Sequence, residues 1–282
     1  MERKIRRYAA GLFVVFLVLF IPLFGRAASP SVSVSAKVNH TESSRFLKKL
    51  NDLRRKKGLS ELQIDKSLQR AAEIRAAELT VRYSHERPGG GMPGTLSEKI
   101  GAENIAVGQN SAGAVFTAWV NSPMHYQNMI RANMKSAGIC CLEYRGRMYW
   151  VNLFGTDTAR RVKLAGRRTK TFKIKIAEKY LSTSNITLGN VGTMSSKEKK
   201  TLKISIRCAG DEPAGVLPNS FFTFKSSNRR VLKVNQKGVV ASLREGKARI
   251  TVQSKKYKKL KKTVWLTVKD NSRVNYIDYS DD

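Results

Sequence analysis

Cysteine is scarce. The 282 residues contain three, at Cys140, Cys141 and Cys208. An odd count in an exported chain argues against a disulfide framework. Adjacent Cys140 and Cys141 are a poor pair for a bridge, because disulfide geometry needs more room than neighbours give. There is no CxxC spacing and no third thiol nearby, which argues against a thiolate metal site. If the pair lies on a strand, the two side chains alternate, which predicts that one is buried and inert. Histidine is equally rare, with His40, His85 and His125. No HExxH run offers a ready zinc pair, and no GxSxG elbow offers a hydrolase serine. Acidic groups are few as well: 21 stand against 53 Lys and Arg, for a formal net charge of +32. A charge of that size calls for an anionic neighbour or serves to prevent association.

Long apolar runs are absent except at the start. "MERKIRRYAAGLFVVFLVLFIPLFGRAAS" sets Arg3, Lys4, Arg6 and Arg7 before an apolar run from Tyr8 to Phe24, followed by small residues. Residues 1–28 therefore read as an export signal cut after Ala27, or as an uncleaved anchor just long enough to span a bilayer. On either reading the remainder lies outside the cytoplasm, at the cell envelope or beyond. No nucleic acid is then expected as a partner.

With 41% hydrophobic residues the chain can bury a core, and its length accommodates two domains. Residues 29–40, "SPSVSVSAKVNH", read as a linker. Residues 41–157 read as mixed α/β. Phe46, Leu47, Leu50 and Leu53 keep helical spacing up to Gly58. Asp65 can cap a second helix whose Leu68, Ala71, Ala72, Ile74 and Ala76 give a small, close-packing face. "SAGAVFTAWV" predicts a third helix and "HYQNMIRAN" a shorter fourth. "SAGICCLEY" and "RMYWVNLFG" predict two strands joined at Arg145-Gly146, with Trp119 and Trp150 in the core. Residues 158–171 read as a basic linker. Residues 172–269 hold short alternating runs, the mark of a small all-β sandwich. Residues 270–282 read as a loose tail. Net charge is +6 over residues 41–157 and +21 over 158–282, so the basic excess belongs mainly to the second half.

Three polar groups stand in turn-like places of the first half: His85 in "YSHERPGGG", Glu103 in "GAENIAVG" and His125 after Ser122-Pro123. Two imidazoles and a carboxylate can hold Zn²⁺ or another divalent cation with one position open to water. The same groups can instead hydrogen-bond one another, with Glu103 orienting an imidazole. Spacing alone leaves both open. His40 receives no role. Ser122 and His125, three residues apart at a helix start, can approach each other. Ser122 reads more simply as an N-cap with Pro123 at N1.

"LNDLRRKKGLSEL", "SHERPGG", "GAENIAVG", "AWVNSPMHYQNMI" and "YWVNLFG", in that order, resemble the CAP superfamily of cysteine-rich secretory, antigen 5 and pathogenesis-related 1 proteins, in its bacterial SCP-like branch. The resemblance covers roughly residues 44–156. It implies a three-layer α-β-α sandwich with a cleft lined by His85, Glu103 and His125, where several members bind a divalent ion, with Asn104 and Ser122 alongside. Ser122 occupies the place usually held by a second carboxylate, which removes one charged ligand. Residues 172–269, through "TLKISI", "FKSSNRRVLKVNQKGVVASLREGKARITV" and "WLTV", resemble a bacterial Ig-like domain of the Big2 group, which implies an all-β surface-display or adhesion module without a catalytic site. The fold expected is thus α+β: a CAP sandwich followed by an Ig-like sandwich.

The run "SKKYKKLKKT" carries Lys255, Lys256, Lys258, Lys259, Lys261 and Lys262. It reads either as a solvated hairpin tip or as a surface that docks on anionic envelope polymer or lipid headgroups. Trp265 points outward if Val264, Leu266 and Val268 point in. The functional expectation is an exported binding module that takes a ligand, peptide or ion in its cleft and is held at an anionic surface. The rival expectations are a metal-assisted hydrolase of peptide or wall material and a lipid-binding module.

Overall fold

The computed structural model describes residues 30–206 and 215–270. Residues 1–28, expected as an export signal or anchor, lie outside the described residues, as do Cys208 and residues 271–282. The elements in chain order are β1 (Ser31–Asn39), α1 (His40–Lys56), β2 (Gln63–Ile64), α2 (Lys66–Leu79), β3 (Ala102–Val107), α3 (Ala112–Val120), α4 (Pro123–Ile130), β4 (Ser136–Tyr144), β5 (Arg147–Gly155) and β6 (Arg167–Lys175). They continue through β7 (Ile186–Gly189), β8 (Gly192–Ser195), β9 (Lys199–Thr201), β10 (Lys203–Ile206), β11 (Gly215–Leu217), β12 (Phe222–Ser226), β13 (Leu232–Val234), β14 (Val239–Ser242), β15 (Gly246–Ser254) and β16 (Lys261–Lys269).

The first half is built on one sheet in the order β3-β5-β4-β1-β6, with β2 added beside β4. Residues expected as the 29–40 linker form β1, which lies between β4 and β6. The Ser-Val alternation is a period of two, and it buries Val32, Val34, Ala36 and Val38 on one face. The basic stretch expected as a second linker supplies the start of β6, which pairs with β1 from Ser31↔Lys175 to Asn39↔Arg167. Phe172 and Ile174, expected to open the Ig-like domain, belong to this sheet instead. Arg167, Lys173 and Lys175 face solvent on this edge strand, where cations discourage pairing with other chains.

Helices cover both faces, giving the expected three layers. Asp65 caps α2 by accepting from Ser67 N (2.8 Å) and Leu68 N (3.1 Å). The Ala-rich face of α2 lets it lie against the backbone of β4, where the Gln69 amide bonds both N and O of Ile139 at 2.9 Å. On the opposite face Phe46 of α1 meets Trp119 of α3 edge-on at 5.0 Å. Arg54, fully buried in α1, donates to the carbonyls of Ser60, Met129, Arg131 and Met134 at 2.8–3.0 Å. It thereby ties the end of α4 to α1.

β4 and β5 run as expected, and their turn has positive φ at both Arg145 (48°) and Gly146 (75°), the hand that suits a twisted hairpin. The expectation that one of Cys140 and Cys141 is buried needs correction: both are, Cys140 toward α2 and Cys141 toward α1. A sheet covered on both faces leaves no exposed side for alternation to reach. Burial raises both thiol pKa values, so neither is a ready nucleophile.

The second half is all-β, with sheets β11-β10-β7, β12-β15-β16-β8 and β13-β14-β9. Phe222, Val240, Ile250 and Leu266 form part of its core.

Candidate functional site

The site begins with a buried charge network. Arg75 on α2 is 0% exposed. It donates through Nε and Nη2 to the Glu103 carboxylate at 2.8 and 3.4 Å, and through Nη1 to Glu78 at 3.0 Å. Its Nη2 also donates to Ser84 O at 2.8 Å. Glu78 takes a second cation, Arg87, at 2.7 Å. Glu103 sits on β3, and its Oε2 meets His85 Nδ1 at 2.8 Å. A carboxylate at that distance accepts the Nδ1 proton, which leaves Nε2 of a neutral His85 as an acceptor. The His85 side chain is 53% exposed, so the oriented ring still faces solvent.

The second imidazole arrives from α4. Asn104, buried beside Glu103 on β3, donates to His125 O at 3.0 Å and accepts from Asn128 at 2.8 Å. This pins the first turn of α4 to the sheet. His125 Nδ1 lies 2.8 Å from Ser122 Oγ. Ser122 does hold the N-cap position with Pro123 at N1, but its hydroxyl caps no backbone N–H. The imidazole has taken that hydroxyl. The indole of Trp119 packs 6.1 Å from the His125 ring. Beside His85 lies a depression of about 340 Å³, lined by Met92, Pro93, Ile100 and Glu103 among others. Met124, next to His125, is 80% exposed.

The two rings sense each other. Burial lowers the His125 pKa, and the charge of His85 lowers it further. The unfolded chain then binds a proton that the folded chain resists. Stability from His125 is therefore present above about pH 6.5 and lost as pH falls from there through its folded pKa. His85→Ala is expected to move the His125 titration back up toward about 6.5, read by NMR of the imidazole protons. An unmoved titration would separate the rings electrostatically.

Glu103 is shared between the Arg75 guanidinium and His85. Among the described residues no group of three or more His, Cys, Asp or Glu is placed to hold a metal. Of the two imidazoles, His85 is exposed and His125 half-buried. His40 lies outside this cluster: it is buried, with Nε2 3.5 Å from Glu73, which also pairs with Arg168 and Lys170.

The loop carrying His85 is clamped by the chain that leads into the second half. Tyr180 Oη donates to Glu86 at 2.9 Å, Lys179 pairs with Glu86, and the Arg82 guanidinium lies 4.6 Å from the Tyr180 ring centre. Ala177 N donates to Pro88 O at 2.7 Å. Sequence reasoning missed Arg75, Arg87 and this clamp. The signal for Arg75 was two charges, Arg75 and Glu78, one turn apart in a helix that must bury its face.

The lysine run divides by position. Lys255, Lys256, Lys258 and Lys259 are exposed in the turn between β15 and β16. Lys261 is exposed on β16, while half-buried Lys262 turns back to donate to Ile186 O at 2.5 Å. Trp265 stands outward at 59% exposure, with Arg249 Cζ 5.4 Å from its ring centre.

Among the described residues no helix is long and apolar enough to cross a membrane. Residues 47–154 match the cysteine-rich secretory protein family (CAP), and residues 209–264 match the bacterial Ig-like domain, group 2. The uncharacterized protein YkwD of Bacillus subtilis (strain 168) is 31% identical over 133 residues, 41% of this chain and 52% of that one. The chain thus spans about half the length of this curated relative. An extracellular SCP-domain protein of Bacillus anthracis is similar in structure at 19% identity and a TM-score of 0.39, over 42% of this chain and 41% of that one. An outer surface protein of Borrelia burgdorferi is similar at 22% identity and a TM-score of 0.39, over 45% of this chain and 100% of that one. The chain carries a CAP domain, in which the sequence match encloses His85, Glu103 and His125, followed by a group 2 bacterial Ig-like domain.

Proposed function

We propose that this is a binding protein of the bacterial cell envelope, working outside the cytoplasm: its CAP cleft takes a ligand and its basic second half holds the chain at an anionic surface. The observation that carries the reading is the matched tethering of the two imidazoles. Each is fixed through Nδ1, His85 by Glu103 and His125 by Ser122, which leaves Nε2 as the ring nitrogen for a ligand. Polar contact atoms beside an apolar depression suit a small ligand or peptide with a polar group and an apolar flank. The exposed Met124 and Met92 offer adaptable apolar surface for that flank. Zn²⁺ or another divalent ion would engage the same two Nε2 atoms, with Glu103 acting through His85.

Metal content and thermal shift test the ion. Stoichiometric metal that stabilises the wild type, but not His85→Ala or His125→Ala, is the expected result. A wild type without metal and without a Zn²⁺ shift removes the ion and any metal-assisted hydrolysis, and leaves the ligand cleft to be tested by peptide binding. For the second half, retention on isolated envelopes is expected to fall as salt rises, because surface ion pairing is screened. Replacing Lys255, Lys256, Lys258 and Lys259 together by Gln in the full chain should weaken retention. Retention indifferent to salt and to those lysines would remove the anionic-surface reading.

A further inference from the structure

The outer face of β12, β15 and β16 is chemically unlike the rest of the second half. Strand register sets its side chains in three rows: Thr223, Gln253 and Lys261; Lys225, Thr251 and Thr263; then Arg249 and Trp265. Phe224, Ile250, Val252 and Leu266 take the inner face. None of these outward positions is acidic. The Thr251 and Thr263 hydroxyls lie 3.4 Å apart, and the Ser227 hydroxyl accepts from Arg249 N at 2.8 Å at the end of the third row. Part of the face is concave, with a cavity of about 740 Å³ lined mostly by polar and cationic side chains, together with Phe224.

Trp265 is the outlier. Trp119 and Trp150 are buried, as large aromatics usually are, but Trp265 is 59% exposed. Leaving an indole in water forgoes burial that a core position would give. Arg249 covers part of its ring and adds charge there. A membrane surface would call for several apolar side chains to insert together, and Trp265 is alone among the outward side chains of these rows. A flat ring, hydroxyl and amide groups and scattered cations instead match a sugar polymer with negative groups. Its C–H face stacks on the indole, its hydroxyls bond Thr and Gln, and its carboxylates or phosphates meet Arg249, Lys225 and Lys261. Along β15 the rows of Arg249 and Gln253 are four residues, or ~14 Å, apart, enough for an extended chain rather than one small anion.

We infer that the outer face of β12, β15 and β16 is a docking face for an anionic polysaccharide, with Trp265 as its stacking platform. The inference rests on the anionic-surface reading above and gives that surface a polymer chemistry. Because the other two tryptophans are buried, an aqueous quencher reports on Trp265. The test is acrylamide quenching of the full chain with alginate, neutral dextran, polyphosphate or anionic phospholipid vesicles. Alginate should shield Trp265, and dextran should not. By co-sedimentation with alginate, which needs no tryptophan, Trp265→Ala should weaken binding about ten-fold and Trp265→Phe much less, since an aromatic ring remains. Arg249→Ala should weaken it about five-fold. Alginate affinity unchanged in Trp265→Ala overturns the face, as does equal shielding by vesicles or polyphosphate. If alginate binding instead follows only the four lysines of the β15–β16 turn, the docking reading stands and this face falls. If neither alginate nor envelopes retain the wild type, the docking reading itself fails.

Discussion

Arg75→Met is expected to cost about 3–5 kcal/mol of stability, measured by urea unfolding. Methionine fills similar space but carries no charge. Glu103 would keep only His85 and Glu78 only Arg87, both carboxylates staying buried, and Ser84 O would lose its donor. The cost comes from leaving two buried carboxylates short of positive charge, more than from the pair's own attraction. A second variant separates this from a packing defect. Arg75→Met with Glu103→Gln removes one stranded charge and should recover part of the loss. No recovery would mean that shape, not charge, governs the position. The same substitution should free the His85 ring, because Glu103 then lacks the guanidinium that fixes its plane. Broadened or shifted His85 imidazole signals would register that change, and unchanged ones would show that Arg75 has no part in the site.

Gly138→Ala is expected to match or exceed the usual overpacking cost of about 1–3 kcal/mol. A Cβ at Gly138 would sit 2.1 Å from Leu68 O, 2.2 Å from Leu68 C and 2.7 Å from Gln69 N. All three are backbone atoms of the first turn of α2, so no side chain can swing away. The helix would have to lift from β4, and the paired bonds between Gln69 and Ile139 would open. Since α2 carries Arg75, the His85 side of the cleft should loosen with it. A stability within about 0.5 kcal/mol of wild type would show that α2 does not rest on β4 as described.

The legible parts of this chain were those whose signal lies within a few residues. Asp65 before a small-residue run gave a cap and a close-packing helix, and the structure has both. The alternation on either side of Arg145-Gly146 gave β4 and β5 with their turn. β1 carried an equally clear alternation, yet its Ser content suggested a linker. Only its position between β4 and β6 shows that one buried face is enough for an inner strand. β6 was harder. Its first residues are all polar, and their strand state comes from pairing with a segment more than a hundred residues earlier. The cleft residues His85, Glu103 and His125 were named from ordered motifs, whereas what each one touches was not readable. Ser122 looked like a cap and instead holds an imidazole.

By itself the sequence determined the layered α/β half, the all-β half and the uneven distribution of basic charge, and it named His85, Glu103 and His125 as candidate site residues. Periodicity, caps and turn chemistry are local, and each can be read within about one element's length. Only the tertiary structure decided that Glu103 is shared with a buried arginine, that both cysteines are sealed, that β1 and β6 complete the sheet and that Tyr180 clamps the His85 loop. Those facts depend on which distant groups share a low-dielectric interior. Burial turns a surface-type charge into one that must find its partner, wherever along the chain that partner lies.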